Sequence, residues 1–311
     1  MKQFTLPRTD ITAPNVVLGL MRIPDKSDEE VKALVRTARD AGIDFLDHAD
    51  IYGPELHACE RRFTEAMQLT PSQRDELTIQ TKCGIVKDGP YFDFSAEHIR
   101  ESVEGSLRAL DTDHIDILLL HRPDALVEPD EVARAFDELH ESGKVRHFGV
   151  SNHTPAQIEL LKKSVRQPLV ANQLQLSITH APMIAQGIAA NMDTSDQAIT
   201  RDGGGVLDYC RLHDITVQAW SPFQSRSFDG VFLGNEKYPE LNAVVDRLAA
   251  EYSVTPEAIA VAWITRHPAN MQVVLGTTTP QRVTDSAAGS EIPLTRAQWY
   301  ELFRAAGWIV P

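Results

Sequence analysis

The sequence predicts a (β/α)8 TIM barrel, the α/β fold in which eight parallel strands form a closed central sheet. Short apolar runs alternate with amphipathic stretches along all 311 residues, and continuous apolar runs are typical of strands that are covered on both faces. Eight such runs occur, and eight βα units with right-handed crossovers close most naturally into a barrel. A chain of this length with 42% hydrophobic residues can bury the core that such a barrel needs.

Each element is predicted from a local signal. An N-terminal β-hairpin is expected at residues 3–15, and helix starts are indicated by Ser27, by Ser95 and by the pair Thr255-Pro256. Two helices, at residues 241–252 and 296–305, are extra to the repeating βα units. The barrel strands are expected at residues 16–20, 43–47, 77–82, 115–120, 145–150, 170–174, 215–219 and 272–275.

No change of composition and no linker divides the chain, so we expect residues 1–311 to form a single domain. Three polar segments with weak periodicity, at 180–205, 224–239 and 306–311, are expected to be mobile excursions near one rim of the barrel.

Charge and composition exclude several classes of partner. The formal net charge is −14, from 30 Lys plus Arg against 44 Asp plus Glu, and it disfavours binding to nucleic acid or to anionic membrane surfaces. No stretch approaches the roughly 20 apolar residues that a membrane span needs. The three cysteines share no short metal-ligand spacing, and a chain of this length needs no disulfides, which favours a reducing cytoplasmic setting. No assembly segment is visible, so a monomer is the default expectation.

Four polar side chains fall at or just past the ends of predicted strands. They are a carboxylate, a phenol, an amine and an imidazole: Asp47, Tyr52, Lys82 and His121. In barrels of this kind the catalytic groups come from the carboxyl ends of several strands, so these four are expected to meet at one rim. A phenol beside an amine is suited to donating a proton.

Short motifs follow seven of the predicted strands in a fixed order. Each motif is weak alone, but the order and the placement at strand ends are specific together. The motifs are FLDHADIYG at 45–53, QTKCG at 80–84, LLLHRP at 118–123, GVSN at 149–152, NQ at 172–173, AWSP at 219–222 and GTTTPQR at 276–282. Over about residues 19–282 the chain thereby resembles the aldo-keto reductase family.

The resemblance implies the reduction of an aldehyde or ketone to the alcohol, with hydride from a nicotinamide and a proton from Tyr52. Free tyrosine has a pKa of about 10 and is a reluctant donor near neutrality. Lys82 would lower that pKa, and Asp47 would keep the lysine charged and oriented. His121 would direct the carbonyl oxygen by hydrogen bonding.

The implied cofactor is NADPH in preference to NADH, although no Gly-rich Rossmann fingerprint follows any strand. Thr277 and Arg282 fit a site for the adenosine 2′-phosphate, which favours NADPH. Gly276 stands where the family often has lysine, and Ser286 stands where asparagine is common. By resemblance, Ser151, Asn152 and Gln173 would bind the carboxamide and Trp220 would stack on the nicotinamide ring. The remaining expected cofactor residues are Ser221, Phe223, Ser225, Met21, Arg22, Gly276, Thr279, Asp285 and Ser286.

Substrate residues are predicted from position alone. Arg122 could hold a carboxylate or phosphate of the substrate, but a salt bridge to Asp124 or to a rim carboxylate is the favoured expectation. Arg22 could likewise reach the cofactor pyrophosphate or pair with Asp50. The expected pocket wall is formed by Ile51, Ile85, Tyr91, Phe92, Arg122 and Trp308, and Phe94 would add to an apolar slot.

Two other functions compete with a reductase. One is a barrel metal hydrolase that uses Asp47, His48, Asp50, His57 and His121 as ligands of a divalent cation. That hypothesis leaves Lys82 unexplained, and we expect no metal. The other is a cofactor-binding regulatory subunit that senses the NADP redox state with vestigial turnover.

Overall fold

A computed structural model of the chain describes residues 1–87, 91–189 and 204–310. In these ranges, numbered along the chain, a hairpin of β1 (Gln3–Thr5) and β2 (Thr12–Pro14) precedes a closed barrel of eight parallel strands. The barrel strands, in the order in which they neighbour one another, are β3 (Val16–Gly19), β4 (Phe45–Asp47), β5 (Thr78–Cys83), β8 (Ile115–Leu120), β9 (Val145–Ser151), β10 (Leu169–Gln175), β11 (Thr216–Trp220) and β12 (Gln272–Leu275).

Helices pack around the barrel, and several begin at the residue types that the sequence singles out. Ser27, Ser95 and Thr295 each accept a hydrogen bond from a first-turn backbone N–H. The described helices are α1 (Asp28–Asp40), α2 (Ala58–Met67), α3 (Pro71–Asp75), α4 (Ala96–Leu110), α5 (Pro129–Glu141), α6 (Pro155–Leu161), α7 (Pro182–Ile188), α8 (Val206–Leu212), α9 (Pro239–Tyr252), α10 (Pro256–Thr265), α11 (Pro280–Ala287) and α12 (Arg296–Ala305).

The predicted TIM barrel, the N-terminal hairpin and the two extra helices, α9 and α12, are confirmed. A second hairpin of β6 (Ile85–Val86) and β7 (Tyr91–Phe92) was not predicted. The segment 180–205 was predicted as irregular, but α7 occupies 182–188, and residues 190–203 lie outside the described ranges. No helix in the described ranges is long and apolar enough to cross a bilayer.

Strand alternation divides the core in two. A small apolar cluster that includes Val17, Phe45, Ile117 and Leu119 fills the barrel interior, and Leu6 of the hairpin joins it. A larger cluster lies between the barrel and the helices. Since successive side chains of a strand point to opposite faces, residues two positions after these interior side chains also face inward. This places the carboxyl-end residues of several strands in one volume.

Candidate active site

Lys82 lies at the centre of the rim cluster. It is fully buried, and its Nζ donates to both carboxylate oxygens of Asp47 at 2.7 Å, to the His48 carbonyl at 2.7 Å and to the Tyr52 hydroxyl oxygen at 3.1 Å. Adjacent strands β4 and β5 supply the carboxylate and the amine, and the turn after β4 supplies the phenol. The predicted carboxylate, amine and phenol therefore meet in one hydrogen-bonded group.

Electrostatics keep the amine charged and the phenol protonated. Burial acts to lower the pKa of Lys82, but the Asp47 carboxylate and Tyr52 outweigh it, so the Lys82 pKa is raised. Burial raises the pKa of Tyr52, and the Lys82 ammonium opposes that rise without cancelling it. The expectation that Lys82 lowers the Tyr52 pKa below its usual value is therefore wrong, because burial outweighs the ammonium. Tyr52 holds its proton at neutral pH and is an acid.

His121 completes the group as a neutral imidazole. Its ring lies edge-on to the Tyr52 ring, with centroids 5.7 Å apart, and its Nδ1 has no hydrogen-bond partner in the described part of the chain. Burial, with Lys82 and Arg122 nearby, holds the pKa of His121 well below its usual range. A neutral ring beside a protonated phenol can donate one hydrogen bond to a carbonyl oxygen without adding charge.

The predicted nicotinamide residues form a chain of hydrogen bonds on the neighbouring strands. Ser151 Oγ donates to the Gln173 carbonyl at 2.9 Å, and Asn152 Nδ2 donates to Ser151 Oγ at 2.8 Å. Trp220 Nε1 donates to Asn152 Oδ1 at 3.1 Å. Asn152 has a left-handed backbone, with φ of 60°, which asparagine tolerates better than most residues. The four residues predicted for the nicotinamide are therefore connected by hydrogen bonds.

This unit retains capacity for a carboxamide. Gln173 Nε2 is already used, since it donates to Asp47 Oδ1 and to Gln218 Oε1 at 3.0 and 3.2 Å. Its Oε1, in contrast, accepts no hydrogen bond from a described residue, and Trp220 is partly exposed beside it in the same chain of contacts. A free amide acceptor and an accessible indole face are the groups that a nicotinamide ring and its carboxamide require.

The predicted adenosine end is far less organised. Arg282, in the first turn of α11, is exposed and makes no ion pair within the described ranges. Thr277 Oγ1 accepts from the Thr279 backbone N–H at 3.1 Å. Asp285 is held by Gln281 at 2.9 Å, and Ser286 is fully buried. An unpaired guanidinium at a helix start suits a phosphate, whereas adenine could reach Ser286 only if its neighbours moved.

The remaining predicted cofactor residues differ in how freely they can reach a ligand. Met21 and Arg22 are exposed, and the alternative pairing of Arg22 with Asp50 does not occur. Ser225 is buried, and its hydroxyl is turned into its own loop, where it donates to Asp229. Ser221, Phe223 and Gly276 are partly exposed, and Ser221 has a φ of 53°.

The residues of the predicted substrate wall differ in how far they are buried. Ile51 and Ile85 are partly buried, Tyr91 is exposed on β7 with Phe92, and Phe94 is buried, so it cannot line an open slot. Trp308 is anchored by its Nε1, which donates to the Ile178 carbonyl at 2.7 Å.

Arg122 does not form the expected salt bridge. Asp124 instead accepts from the backbone N–H groups of Phe94 and Leu126, at 3.0 and 2.8 Å. The Arg122 guanidinium carbon lies 5.7 Å from the Trp220 ring centroid, and the exposed side chain makes no ion pair within the described ranges. An unpaired cation therefore lies beside the Trp220 ring.

The groups of the metal-hydrolase hypothesis do not converge. Asp47 faces the barrel interior and His121 meets Tyr52 at the rim, whereas the His48 ring packs against Phe63 of α2, with centroids 5.2 Å apart, and His57 bonds Glu60. Among the described residues, no group of three or more His, Cys, Asp or Glu side chains is arranged to hold a metal ion.

Two features of the site are missed by sequence reasoning. One is a set of glutamines inside the barrel, and the other is a polar cluster around Glu60 behind the rim. Glutamine is depleted inside strands that are apolar on both faces, so Gln80, Gln173, Gln218 and Gln272 within predicted strands are the signal that could have indicated the first.

Known proteins provide the comparison. The sequence profile described as the Aldo/keto reductase family matches residues 15–305. The 6-dehydroglucose reductase of Agrobacterium fabrum (strain C58) is 34% identical over 303 residues, covering 94% of this chain and 93% of that protein. The oxidoreductase YdhF of Escherichia coli (strain K12) is 35% identical over 309 residues, covering 95% and 94%. A crystal structure of the thermostable aldo-keto reductase Tm1743 superposes with a TM-score of 0.78 at 24% identity, covering 98% of this chain and all of that one.

Proposed function

The chain belongs to the aldo/keto reductase family of oxidoreductases, and we propose that it reduces an aldehyde or ketone to the alcohol with NADPH, with Tyr52 as the proton donor. The observation that carries this proposal is the Lys82 ammonium, which bridges the Asp47 carboxylate and the Tyr52 hydroxyl at 2.7 and 3.1 Å. A fully buried lysine with that pair of partners is an arrangement for stabilising a tyrosinate.

The proposed mechanism assigns one task to each side chain. The nicotinamide, when bound, supplies the hydride to the carbonyl carbon. As negative charge develops on the carbonyl oxygen, Tyr52 transfers its proton to that oxygen, and the Lys82 ammonium stabilises the phenolate that remains. Asp47 keeps Lys82 charged at its buried position. The neutral His121 ring donates a hydrogen bond that holds the carbonyl oxygen near the phenol.

Replacing the phenol tests the assignment. Tyr52→Phe removes the proton and little else, so kcat for carbonyl reduction should fall by roughly 10²- to 10⁴-fold. Binding of NADPH, followed by quenching of Trp220 fluorescence, should stay within about twofold of the unmodified protein and serves as the control. Turnover that is unaffected by Tyr52→Phe would overturn the assignment. Tight cofactor binding without turnover on any carbonyl would instead favour the regulatory-subunit alternative.

The preference for NADPH over NADH rests on Arg282. Its exposed guanidinium lacks an ion-pair partner in the described ranges and stands at the first turn of α11, where backbone N–H groups add to an anion site. Arg282→Met should raise the Kd for NADPH by roughly tenfold and leave that for NADH almost unchanged. Equal kcat/KM for the two cofactors in the unmodified protein would contradict the preference.

For the substrate we propose a small, hydroxyl-rich carbonyl compound, the class to which the name of the Agrobacterium relative points. The support within this chain is the exposed guanidinium of Arg122, which makes no ion pair with a described residue. Guanidinium N–H groups donate to hydroxyl or carboxylate oxygens, which a hydroxyl-rich substrate presents.

Comparing two substrate sets tests this class. Arg122→Leu should raise KM for polyhydroxylated aldehydes by about tenfold and leave KM for benzaldehyde-type substrates unchanged. The Kd for NADPH is measured in the same variant as the control. A rise confined to the cofactor Kd would show that Arg122 contacts NADPH and not the substrate.

A further inference from the structure

Four glutamines form a polar layer inside the barrel. TIM-barrel interiors are usually packed with branched apolar side chains, yet Gln80, Gln173, Gln218 and Gln272 each lie on a barrel strand and are at most 3% exposed. Gln173 pairs in register with Gln218, and Gln218 pairs in register with Gln272. Four buried amides have a high desolvation cost, so their hydrogen bonds decide whether the layer is tolerated.

The layer crosses the full width of the barrel. Strands β5 and β11 are opposite one another in the closed order, with three strands between them on either side. Gln80 Nε2 donates to Gln218 Oε1, and Gln218 Nε2 donates back to Gln80 Oε1, each at 2.9 Å. Gln218 Nε2 also donates to Gln272 Oε1 at 3.0 Å, and Gln272 Nε2 donates to the Pro14 carbonyl at 2.8 Å. The hairpin at the N-terminal end of the barrel is thereby connected to the rim.

The other end of this layer is Asp47. Its Oδ1 accepts from Gln80 Nε2 at 2.6 Å and from Gln173 Nε2 at 3.0 Å, in addition to Lys82 Nζ at 2.7 Å. Three donors from two strands, β5 and β10, converge on one oxygen. Every N–H of the Gln80, Gln173 and Gln218 side chains that faces the layer is used, so the carboxylate cannot rotate without leaving a buried amide unpaired.

We infer that the cross-barrel pair Gln80–Gln218 positions Asp47 and Gln173 together, so that the proton-donor group and the proposed carboxamide-binding residue are held by one rigid network. Gln80 and Gln218 are positioning residues, because their side chains bond other side chains inside the barrel and act on the site through Asp47 and Gln173. The inference rests on the proposed function for its kinetic consequence, but the network itself is a property of the protein without ligand.

The two residues have separable effects. Gln80 bonds Asp47 and does not bond Gln173, so Gln80→Met should lower kcat roughly ten- to a hundredfold with the Kd for NADPH nearly unchanged. Gln218 bonds Gln80 and Gln173, so Gln218→Met should lower kcat and also raise the Kd for NADPH several-fold. Methionine retains the volume and removes the amide.

A double-mutant cycle on the protein without ligand provides a readout that does not depend on activity. Urea unfolding of Gln80→Met, Asp47→Asn and the double variant should show non-additive losses of stability. Asn15 is the matched control, because its buried amide bonds Ser290, and not Asp47, at 2.9 Å. Asn15→Leu should destabilise the fold and add independently with Asp47→Asn.

The outcomes separate the two claims. Additive losses for Gln80→Met and Asp47→Asn, or a kcat for Gln80→Met no lower than that of Asn15→Leu, would overturn the positioning inference. A protein that is inactive on every carbonyl would overturn the proposed function, and the double-mutant cycle would still decide the network.

Discussion

Two buried polar clusters lie on opposite faces of the strands β4 and β5, and they differ in how completely their hydrogen bonds are made. Asp47 and Lys82 face the barrel interior and are fully partnered. His48, which follows Asp47, and Thr81, which precedes Lys82, face α2 and α4, because successive side chains of a strand point to opposite faces. There they meet a second cluster, the rear cluster, which consists of His48, Asp50, His57, Glu60, Thr81 and Ser106.

Within the rear cluster, hydrogen bonding decides which carboxyl group stays ionised. Glu60 is bonded by Thr81 and His57 at 2.6 Å and by Ser106 at 3.1 Å, and these contacts outweigh burial, so the Glu60 pKa is lowered. Neither oxygen of Asp50 has a hydrogen-bond partner of good geometry in the described ranges. Burial, with the charge of Glu60 nearby, raises the pKa of Asp50 to about 7. Both carboxyl groups are buried, but the hydrogen-bonded Glu60 stays ionised, whereas Asp50, which lacks such partners, is more easily protonated.

The largest effect is expected from breaking the partnered pair inside the barrel. Lys82→Met leaves the Asp47 carboxylate buried without its cation and should cost about 3–5 kcal/mol in the free energy of unfolding at pH 7. Urea denaturation measures the loss. In an Asp47→Asn background the same substitution should cost much less, because no buried charge is then left unpaired. Equal costs in the two backgrounds would show that the ion pair does not contribute.

Removing the unpartnered carboxyl group of Asp50 should instead increase the free energy of unfolding. The pKa of Asp50 is about 7 in the folded protein and has an ordinary value of 3.8, so its stabilising contribution is complete below about pH 4 and is lost as pH rises through 7. Asp50→Asn mimics the protonated form. The variant should match the unmodified protein near pH 4 and exceed its stability at pH 8 by up to roughly 4 kcal/mol, at 1.36 kcal/mol per pKa unit. A variant that is less stable at pH 8 would contradict an unpartnered Asp50.

Replacing Glu60, the partnered carboxyl group of the rear cluster, should decrease the free energy of unfolding. Glu60→Gln replaces one acceptor oxygen with an NH2 group, which would oppose either the Thr81 donor at Oε1 or the His57 and Ser106 donors at Oε2. The expected cost is about 1.5–3 kcal/mol, as for hydrogen bonds to a charged group. Thermal unfolding of the Glu60→Gln and Asp50→Asn variants at pH 7 tests whether the two substitutions change stability in opposite directions. A change of the same sign in both variants would contradict the difference between a partnered and an unpartnered carboxyl group.

The smallest effect concerns packing at the rear cluster. The His57 ring lies against Gly105 of α4, where a Cβ would overlap the imidazole. Gly105→Ala should therefore cost about 1–3 kcal/mol, since the ring or the helix must shift. Gly143→Ala is a comparison at an open site, although its positive φ of 74° adds backbone strain there. A Gly105→Ala protein as stable as the unmodified one would show that the cluster is loosely packed.

Much of the fold could be predicted because its signals are local. Apolar runs at 115–120 and 272–275 coincide with β8 and β12, and α12 begins and ends where the sequence indicates. The β6–β7 hairpin could not be predicted, because two-residue strands carry no periodic signal.

The sequence predicted the site residues whose position follows from the end of a single strand. It did not predict the contacts between side chains of strands that are distant in sequence. Asp47, Tyr52 and Lys82 were placed together by their strand ends. A salt bridge of Arg122 to Asp124 or to a rim carboxylate was the favoured expectation, but it is wrong. Arg122 makes no ion pair with a described residue, and nearby backbone N–H groups use the Asp124 carboxylate.

The sequence by itself determined the barrel and the rim on which the proton-donor group lies, since periodicity and strand ends are properties of consecutive residues. Only the tertiary structure decided which buried polar groups have partners. Gln80 and Gln218 are 138 positions apart and bond across the barrel, whereas neither carboxyl oxygen of Asp50, three residues after Asp47, has a donor of good geometry among the described residues. Hydrogen bonding and pKa depend on distances that close only when the barrel closes.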